Sequence, residues 1–282
     1  MKTIQIAAKT DVGKVRDQNE DAFILCPDLS KPNWELDEAT VEPNPYGTLL
    51  VVADGMGGAN AGEVASSTAT KVIKDFFNPS SVSTAIHSPA SITQFLKDAV
   101  READKAINKL MVERLETAGM GTTIVICWLL EDIAYIAWCG DSRCYVFNKL
   151  QGLKALTKDH SYVQELVDQG KLSEEEAFTH PQNNIITRGL GDFDTEAVPD
   201  IITYTSLPGD MIMLCSDGLC GYCTDKAIEK TMKARHAQPR QCVTALLKIA
   251  LEAGGGDNIT VATALISNDD GKPFFKKLFS FH

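Results

Sequence analysis

Leu49 to Gly58 reads Leu-Leu-Val-Val-Ala-Asp-Gly-Met-Gly-Gly, and this stretch restricts the fold more than any other. A short unbroken run of aliphatic and β-branched residues predicts a strand covered on both faces, so the chain must supply a layer on each side of it. Asp54 stands where the run ends among glycines. Gly55, Gly57 and Gly58 admit backbone conformations closed to other residues and leave room for close approach to the main chain, so a carbonyl beside Asp54 can act as a ligand with the carboxylate. An oxygen-lined cation site has this form, and so does an ordinary polar turn. One Asp-Gly does not separate the two.

Further carboxylates in the same setting do. Asp210 to Cys215 predicts a strand that runs into Ser216-Asp217-Gly218, and Gly254-Gly255-Gly256-Asp257-Asn258 runs into a predicted strand at Ile259 to Ile266. Three aspartates at strand ends, Asp54, Asp217 and Asp257, can therefore converge at one edge of stacked sheets. Glu20 and Asp21 add two more carboxylates just before the predicted strand Ala22 to Cys26. Crowded anions are costly unless cations neutralise them, and oxygen ligands without His or Cys select Mg²⁺ or Mn²⁺ over Zn²⁺. Two ions are implied, and water between them can attack a phosphorus in line. The guanidinium fork of Arg16, five residues before Asp21, can hold two phosphate oxygens.

The intervening chain supplies the scaffold. Ile4 to Ala8 predicts a strand. Ala61 to Phe77 and Ser91 to Leu115 carry apolar residues at helical spacing, the second as a full stripe through Ile92, Leu96, Ala99, Ala103 and Ile107. Gly121 to Leu130 and Ile133 to Cys139 form a hairpin about Glu131-Asp132, and Gly140-Asp141-Ser142-Arg143 turns into a strand at Cys144 to Phe147. A helix near Tyr162 to Gln169 is capped from Thr157-Lys158-Asp159-His160-Ser161, and Ser173-Glu174-Glu175-Glu176 has the form of another cap. Thr224 to Lys233, capped by Thr224 or Asp225, and Pro239 to Ala253 are helical. Residues 27 to 47, with four prolines, and 78 to 91, rich in Ser and Pro, read as loops, as does Asn183 to Gly191. Strands outnumber helices and pair at hairpin spacing, which disfavours a doubly wound parallel sheet. The expected class is α+β, an α-β-β-α sandwich of two antiparallel sheets flanked by helices.

Composition narrows the partners. With 27 Lys plus Arg against 38 Asp plus Glu the net charge is −11, so neither nucleic acid nor an anionic membrane is the expected partner. No stretch reaches the roughly 18 apolar residues of a membrane span, and the opening residues lack a signal-peptide core, so a cytoplasmic protein is expected. Eight cysteines, mostly inside apolar runs, imply small buried side chains rather than a disulfide framework.

Taken in order, Arg16 to Asp21, Val52 to Gly58, Gly121-Thr122-Thr123, Gly140 to Arg143, Thr157 to Ser161, Asn184 to Gly191, Ser216-Asp217-Gly218 and Gly256 to Thr260 carry a resemblance across essentially the whole chain. It resembles the metal-dependent type 2C (PPM) family of protein serine/threonine phosphatases in compact bacterial form. The resemblance implies hydrolysis of phosphoserine and phosphothreonine in proteins by a water or hydroxide bridging two Mn²⁺ or Mg²⁺ ions. Asp54 would bridge the ions. Asp217 and Asp257 would complete one shell, and the Gly55 carbonyl with Glu20 and Asp21, through water, the other. Asp141 with Asp217 matches a third, weaker ion site. Asp54, Asp217 and Asp257 form the implied catalytic set, with Arg16 on the substrate phosphate. A single phosphatase domain over 1–268 is expected, with a flap at about 161–187 and a basic, aromatic tail at 269–282. The implied partners are phosphoproteins, a Ser/Thr kinase and its substrates, met by a monomer. Met56 stands where many animal relatives have a His able to protonate the leaving oxygen, which leaves the general acid unassigned.

Two rival readings compete. A non-catalytic phosphoprotein-binding member of the same fold would have lost a ligating aspartate, and none of the matched positions has. Cys220-Gly-Tyr-Cys223 has redox spacing ahead of a helix whose N-terminus would lower a thiol pKa, which admits redox modulation beside Asp217. His160 is read as a cap or a satisfied structural histidine, and Thr122, Thr123 and Arg188 as packing and loop hydrogen-bonding residues.

Overall fold

The computed structural model describes residues 2–57, 61–193 and 196–268; the expected tail at 269–282 and Gly58 lie outside them. The strands are β1 (Lys2–Asp11), β2 (Asp21–Cys26), β3 (Glu38–Val41), β4 (Thr48–Met56), β5 (Gly121–Thr122), β6 (Ile124–Leu130), β7 (Ile133–Cys139), β8 (Arg143–Asn148), β9 (Gly152–Ala155), β10 (Leu190–Gly191), β11 (Asp200–Thr205), β12 (Met211–Cys215) and β13 (Ile259–Asn268). The helices are α1 (Ala61–Phe76), α2 (Pro79–Ala85), α3 (Pro89–Glu113), α4 (Tyr162–Asp168), α5 (Glu174–Phe178), α6 (Asp217–Cys220), α7 (Asp225–Arg235) and α8 (Pro239–Glu252).

All pairings among the described strands are antiparallel. One sheet runs β3-β1-β13-β12-β8-β9; the other runs β10-β5-β4-β6-β7-β11, with β2 beside β4. Three apolar layers hold these sheets together, and the period-2 alternation of each strand assigns its residues to them. In β4, Leu49 and Val51 meet the layer under α1 and α3, where Phe77 and Trp128 pack edge to face at 5.1 Å. Leu50 and Val52 point the other way, into a layer shared with Ile212, Leu214, Ala262 and Ala264 of the opposite sheet. On that sheet's far side, Met213 and Val261 pack against Leu246 and Leu247 of α8. The result is the expected α-β-β-α sandwich.

Several local expectations change. Residues 78–91 are not a loop: Asn78 accepts a hydrogen bond from Ser81 N and caps α2, while Ser88 caps α3. Asn78-Pro79, a dipeptide that can end a helix, is equally an N-cap followed by proline at the first helical position, where its missing N–H costs nothing. The 27–47 excursion contains β3, a four-residue edge strand on β1. Strands β9 and β11 extend the two sheets through segments with no expected strand, and β10 adds two residues inside the expected 183–191 loop. The Glu131-Asp132 turn holds, with Glu131 at φ 53. So does the Ser173 cap, a full capping box with Glu176. Thr224, not Asp225, caps α7.

Candidate active site

Strand phase decides where the carboxylates face. Asp54 is two residues beyond Val52 and four beyond Leu50, so it continues the intersheet face of β4 past the end of the apolar layer. Asp21 stands in the same relation to Phe23 and Leu25 on β2, and the register sets it directly opposite Asp54. Directly opposed antiparallel side chains lie about 5 Å apart at Cβ, so this is a like-charge pair. Asp54 is pinned through its main chain: its N–H donates to Thr123 Oγ1 (3.2 Å), and its carbonyl accepts from Thr123 N (2.8 Å) and Thr122 Oγ1 (2.8 Å). Gly55 N donates to the Glu20 carbonyl (3.2 Å), and a Cβ at Gly55 would collide with the Gly62 carbonyl of α1, so only glycine lets helix and strand close here.

The other sheet supplies the rest. Ser216 and Thr260 continue the intersheet faces of β12 and β13. Ser216 Oγ donates to Asp21 Oδ2 (2.7 Å) and accepts from Thr260 N (2.9 Å), which joins the two sheets at the site. Asp217 opens α6 rather than sitting in a plain turn. Asn258 is the second tie: its Oδ1 accepts from Glu20 N (2.8 Å), and its Nδ2 donates to the carbonyls of Val12 (2.9 Å) and Gln18 (2.8 Å). That loop carries Arg16, whose Nη2 bonds Asp257 Oδ2 at 2.9 Å with the arginine side chain half exposed. Asp141 lies in the β7–β8 turn, where the chain passes from one sheet to the other. The structure thus brings all the expected site residues to one edge. Ser216, Thr260 and Asn258 were not singled out from sequence, although strand phase alone could have flagged the first two.

Electrostatics mark the same place. Burial, then the neighbouring carboxylates, pushes Asp54 well above the usual carboxylate range, and Asp141 likewise. Asp21 is raised to about 7, chiefly by burial, despite hydrogen bonds from Thr260 and Ser216; Asp217 is raised to about 6 by burial and by Asp257, offset by a hydrogen bond from Asp54. Glu20 is raised by burial, with Arg16 opposing. Asp21 Oδ1 and Asp141 Oδ1 are shut off from solvent without a hydrogen-bond partner among the described residues. Buried carboxylate oxygens without partners, repelling one another in an all-oxygen set, fit hard divalent cations. Among the described residues no three His, Cys, Asp or Glu side chains close tightly round one point.

This edge opens into a cleft of about 1260 Å³. Arg16, Asp141, Asp217 and Asp257 line one wall; Val163, Gln164, Glu174, Phe178 and Asn183 line the other. The second wall is the 161–187 segment, which leaves the body at Ser161, the N-cap of α4, and returns at a bridge between Ser161 and Ile186. Arg143 braces the cleft floor through a two-pronged bond to Asp159 (Nε–Oδ1 2.8 Å, Nη2–Oδ2 2.7 Å). The redox reading of Cys220 and Cys223 meets a correction. The pair does stand just before α7, but Cys220 ends α6 and both thiols are buried. A hydrogen bond with Cys215 and burial push the Cys220 thiol well up, and burial pushes Cys223 to about 11, so neither is an activated thiolate.

Comparison with known proteins identifies the family. The family model described as Protein phosphatase 2C matches residues 8–259. The serine/threonine phosphatase stp of Listeria welshimeri is 33% identical over 258 residues, covering 90% of this chain and 92% of that protein. Among solved structures, the Streptococcus agalactiae serine/threonine phosphatase superposes with a TM-score of 0.79 at 29% identity, over 93% of this chain and 99% of that one. The catalytic domain of the phosphatase PstP, in complex with 2 manganese ions, superposes with a TM-score of 0.74 at 29% identity, over 95% of this chain and 100% of that one. The chain belongs to the protein phosphatase 2C family and is an enzyme of the serine/threonine protein phosphatase class.

Proposed function

We propose that this enzyme hydrolyses phosphoserine and phosphothreonine in proteins with two Mn²⁺ or Mg²⁺ ions at the edge between the sheets. The observation that carries the reading is the convergence of Asp21 and Asp54 from one sheet with Asp217 and Asp257 from the other, beside a cleft that also holds Arg16, with Asp21 Oδ1 and Asp141 Oδ1 buried and without a hydrogen-bond partner among the described residues. Asp54 would be shared between the ions, with Asp217 and Asp257 on one and the Gly55 carbonyl, Glu20 and Asp21 on the other; Asp141 with Asp217 would serve a third, weaker ion. Bound there, the ions supply the positive charge that makes water a nucleophile near neutral pH and offsets charge on the phosphoryl group. The chain's own part is positional. Ser216, Thr123 and Asn258 fix the carboxylates and the Arg16 loop before substrate arrives. Arg16 turns its fork from Asp257 to the phosphate oxygens, a geometry that lysine cannot copy.

The 161–187 segment acts as a flap against which the peptide lies, within a single phosphatase domain over residues 1–268. The natural counterpart is a Ser/Thr kinase with its substrates, met by a monomer in the cytoplasm. No described helix is long and apolar enough to cross a membrane. The test is phosphate release from a phosphothreonine peptide with and without Mn²⁺, comparing the parent with Asp217→Asn. Release that needs the ion and collapses in the variant is expected. Mn²⁺ binding without turnover in the parent would point to a phosphoprotein-binding member instead.

A further inference from the structure

His160 lies outside the cleft and touches none of the proposed ion ligands, yet three separate parts of the molecule meet on it. Its ring is buried, with the residue 8% exposed, and stacks on Trp138 at 5.9 Å with an interplanar angle of 10°. Gly140 N–H donates to Nδ1 at 3.0 Å, and His160 N–H donates back to the Gly140 carbonyl at 3.0 Å. A ring nitrogen that accepts from a backbone N–H carries no proton, so the proton resides on Nε2, which faces Asp200 Oδ2 at 3.3 Å. Asp200 is itself held by Arg188 Nη1 at 3.1 Å. Thr187 N–H donates to the His160 carbonyl at 2.8 Å, and two residues further on Tyr162 N–H donates to the Ile185 carbonyl at 2.9 Å.

These bonds place both feet of the 161–187 segment, its departure at Ser161 and its return at Thr187, on one residue. The same residue grips the amide immediately before Asp141. A histidine that merely filled space would need no such reciprocal pair with Gly140, a position whose φ of +118° already demands glycine. The cleft wall and the Asp141 corner are thus two ends of one hydrogen-bonded unit.

We propose that His160 is a positioning residue that locks the feet of the 161–187 flap to the Gly140–Asp141 corner, and so sets how the enzyme holds a peptide chain around the phosphate. The ring accepts at Nδ1 to fix the corner, its main chain fixes the feet, and Trp138 and Asp200 hold the ring in the plane that allows both. Its kinetic consequence rests on the phosphoprotein-hydrolysis reading above; its structural consequence does not.

The experiment therefore has two arms, on the full chain, comparing the parent with His160→Ala and His160→Asn. Asparagine offers Oδ1 where the histidine offers Nδ1, so it keeps the acceptor for Gly140 N–H and loses the link to Asp200. In the first arm, amide hydrogen exchange is followed on the metal-free proteins. Gly140 should exchange about 10-fold faster in His160→Ala, the factor expected from the loss of one hydrogen bond of ~1.4 kcal/mol, and be restored in His160→Asn; Tyr162 and Thr187, whose own bonds run to main-chain carbonyls that the substitution keeps, should also exchange faster as the feet lose their anchor on the corner. Unchanged exchange at these amides, or a uniform rise across the chain, would overturn the proposal. In the second arm, at saturating Mn²⁺, KM for a phosphothreonine peptide should rise about 10-fold in His160→Ala while kcat for p-nitrophenyl phosphate, too small to span the flap, changes far less. Equal losses on both substrates, or none on the peptide, would also overturn it. A parent inactive on both substrates would sink the phosphatase mechanism, and the exchange arm would still decide the role of His160.

Discussion

Asp21→Asn should make the metal-free protein more stable while impairing the enzyme. In the parent, Asp21 faces Asp54 across the β2–β4 ladder, and its Oδ1 is cut off from water although the residue as a whole is only part-buried. Its carboxyl is raised from an ordinary 3.8 to about 7. At ~1.4 kcal/mol per pH unit, holding that group ionised in the fold costs roughly 4 kcal/mol. The sign follows from proton binding. The folded state holds the proton between about pH 4 and pH 7 while the unfolded chain has released it, so the cost is absent below that window and complete above it. Asparagine removes the charge, can keep the bond from Ser216 Oγ, and turns an amide N–H towards Asp54. It remains a buried polar group, so we expect about half the ceiling, a gain of ~2 kcal/mol at pH 8 and a rise in Tm of about 5 °C. The assay is urea unfolding in chelator at pH 8 and pH 5, with the m-value checked for constancy. The advantage should be largest at pH 8 and shrink by more than half at pH 5, and added Mn²⁺ should stabilise the parent more than the variant. A variant less stable than the parent at pH 8, or one with the same advantage at both pH values, would refute the reasoning.

Arg16→Lys should raise KM for a phosphopeptide about 10-fold by losing the two-pronged grip, with little change in Tm, because the Arg16–Asp257 pair is half exposed; steady-state kinetics and a melt on the same sample check both halves. Mild peroxide should leave parent activity unchanged, since the Cys220 and Cys223 thiols are buried and held protonated, and Cys220→Ser with Cys223→Ser should behave alike. Asn258→Asp should destabilise by ~3 kcal/mol and by more than Asn258→Ala, because a carboxylate oxygen would face the Val12 and Gln18 carbonyls that Nδ2 now serves; urea unfolding that ranks alanine as the worse substitution would contradict this.

What was legible in the sequence was whatever has a strong local cause. The stripe of α3, the Ser173 capping box and the Glu131 turn are each written in neighbouring residues, and each is present. The strands that went unread, β3, β9 and β11, are short and consist only of exposed and half-buried positions. Their apolar runs are too weak to stand out, and they exist because an edge of a sheet accepts almost any extended segment. Helix α2 was hidden because Asn-Pro signals an end and a beginning alike. At the site, the carboxylates were visible as residues at strand ends, but the groups that hold them were not. Ser216, Thr260 and Asn258 are ordinary polar residues whose roles depend on the pairing of β12 with β13 and on a loop from the far end of the chain. The Cys220–Cys223 spacing misled for the complementary reason. Spacing says nothing of burial, and burial is what sets those thiols.

The position of the site explains how the fold tolerates it. The intersheet layer is apolar along Leu50 and Val52 on one side and Ile212, Leu214 and Ala262 on the other, and each of those strands keeps its phase into the carboxylate edge. The same alternation that builds the layer therefore aims Asp54, Asp21, Ser216 and Thr260 at one another once the apolar residues run out. Repulsion between Asp21 and Asp54 acts on one sheet's side and that between Asp217 and Asp257 on the other's, while the bond from Ser216 to Asp21 crosses between them. A cation shared by Asp54 and Asp217 would relieve both repulsions and tie the sheets at the point where apolar packing stops. Metal affinity and the separation of the two sheets would then be set by the same contacts, above a layer whose residues are at or near zero exposure.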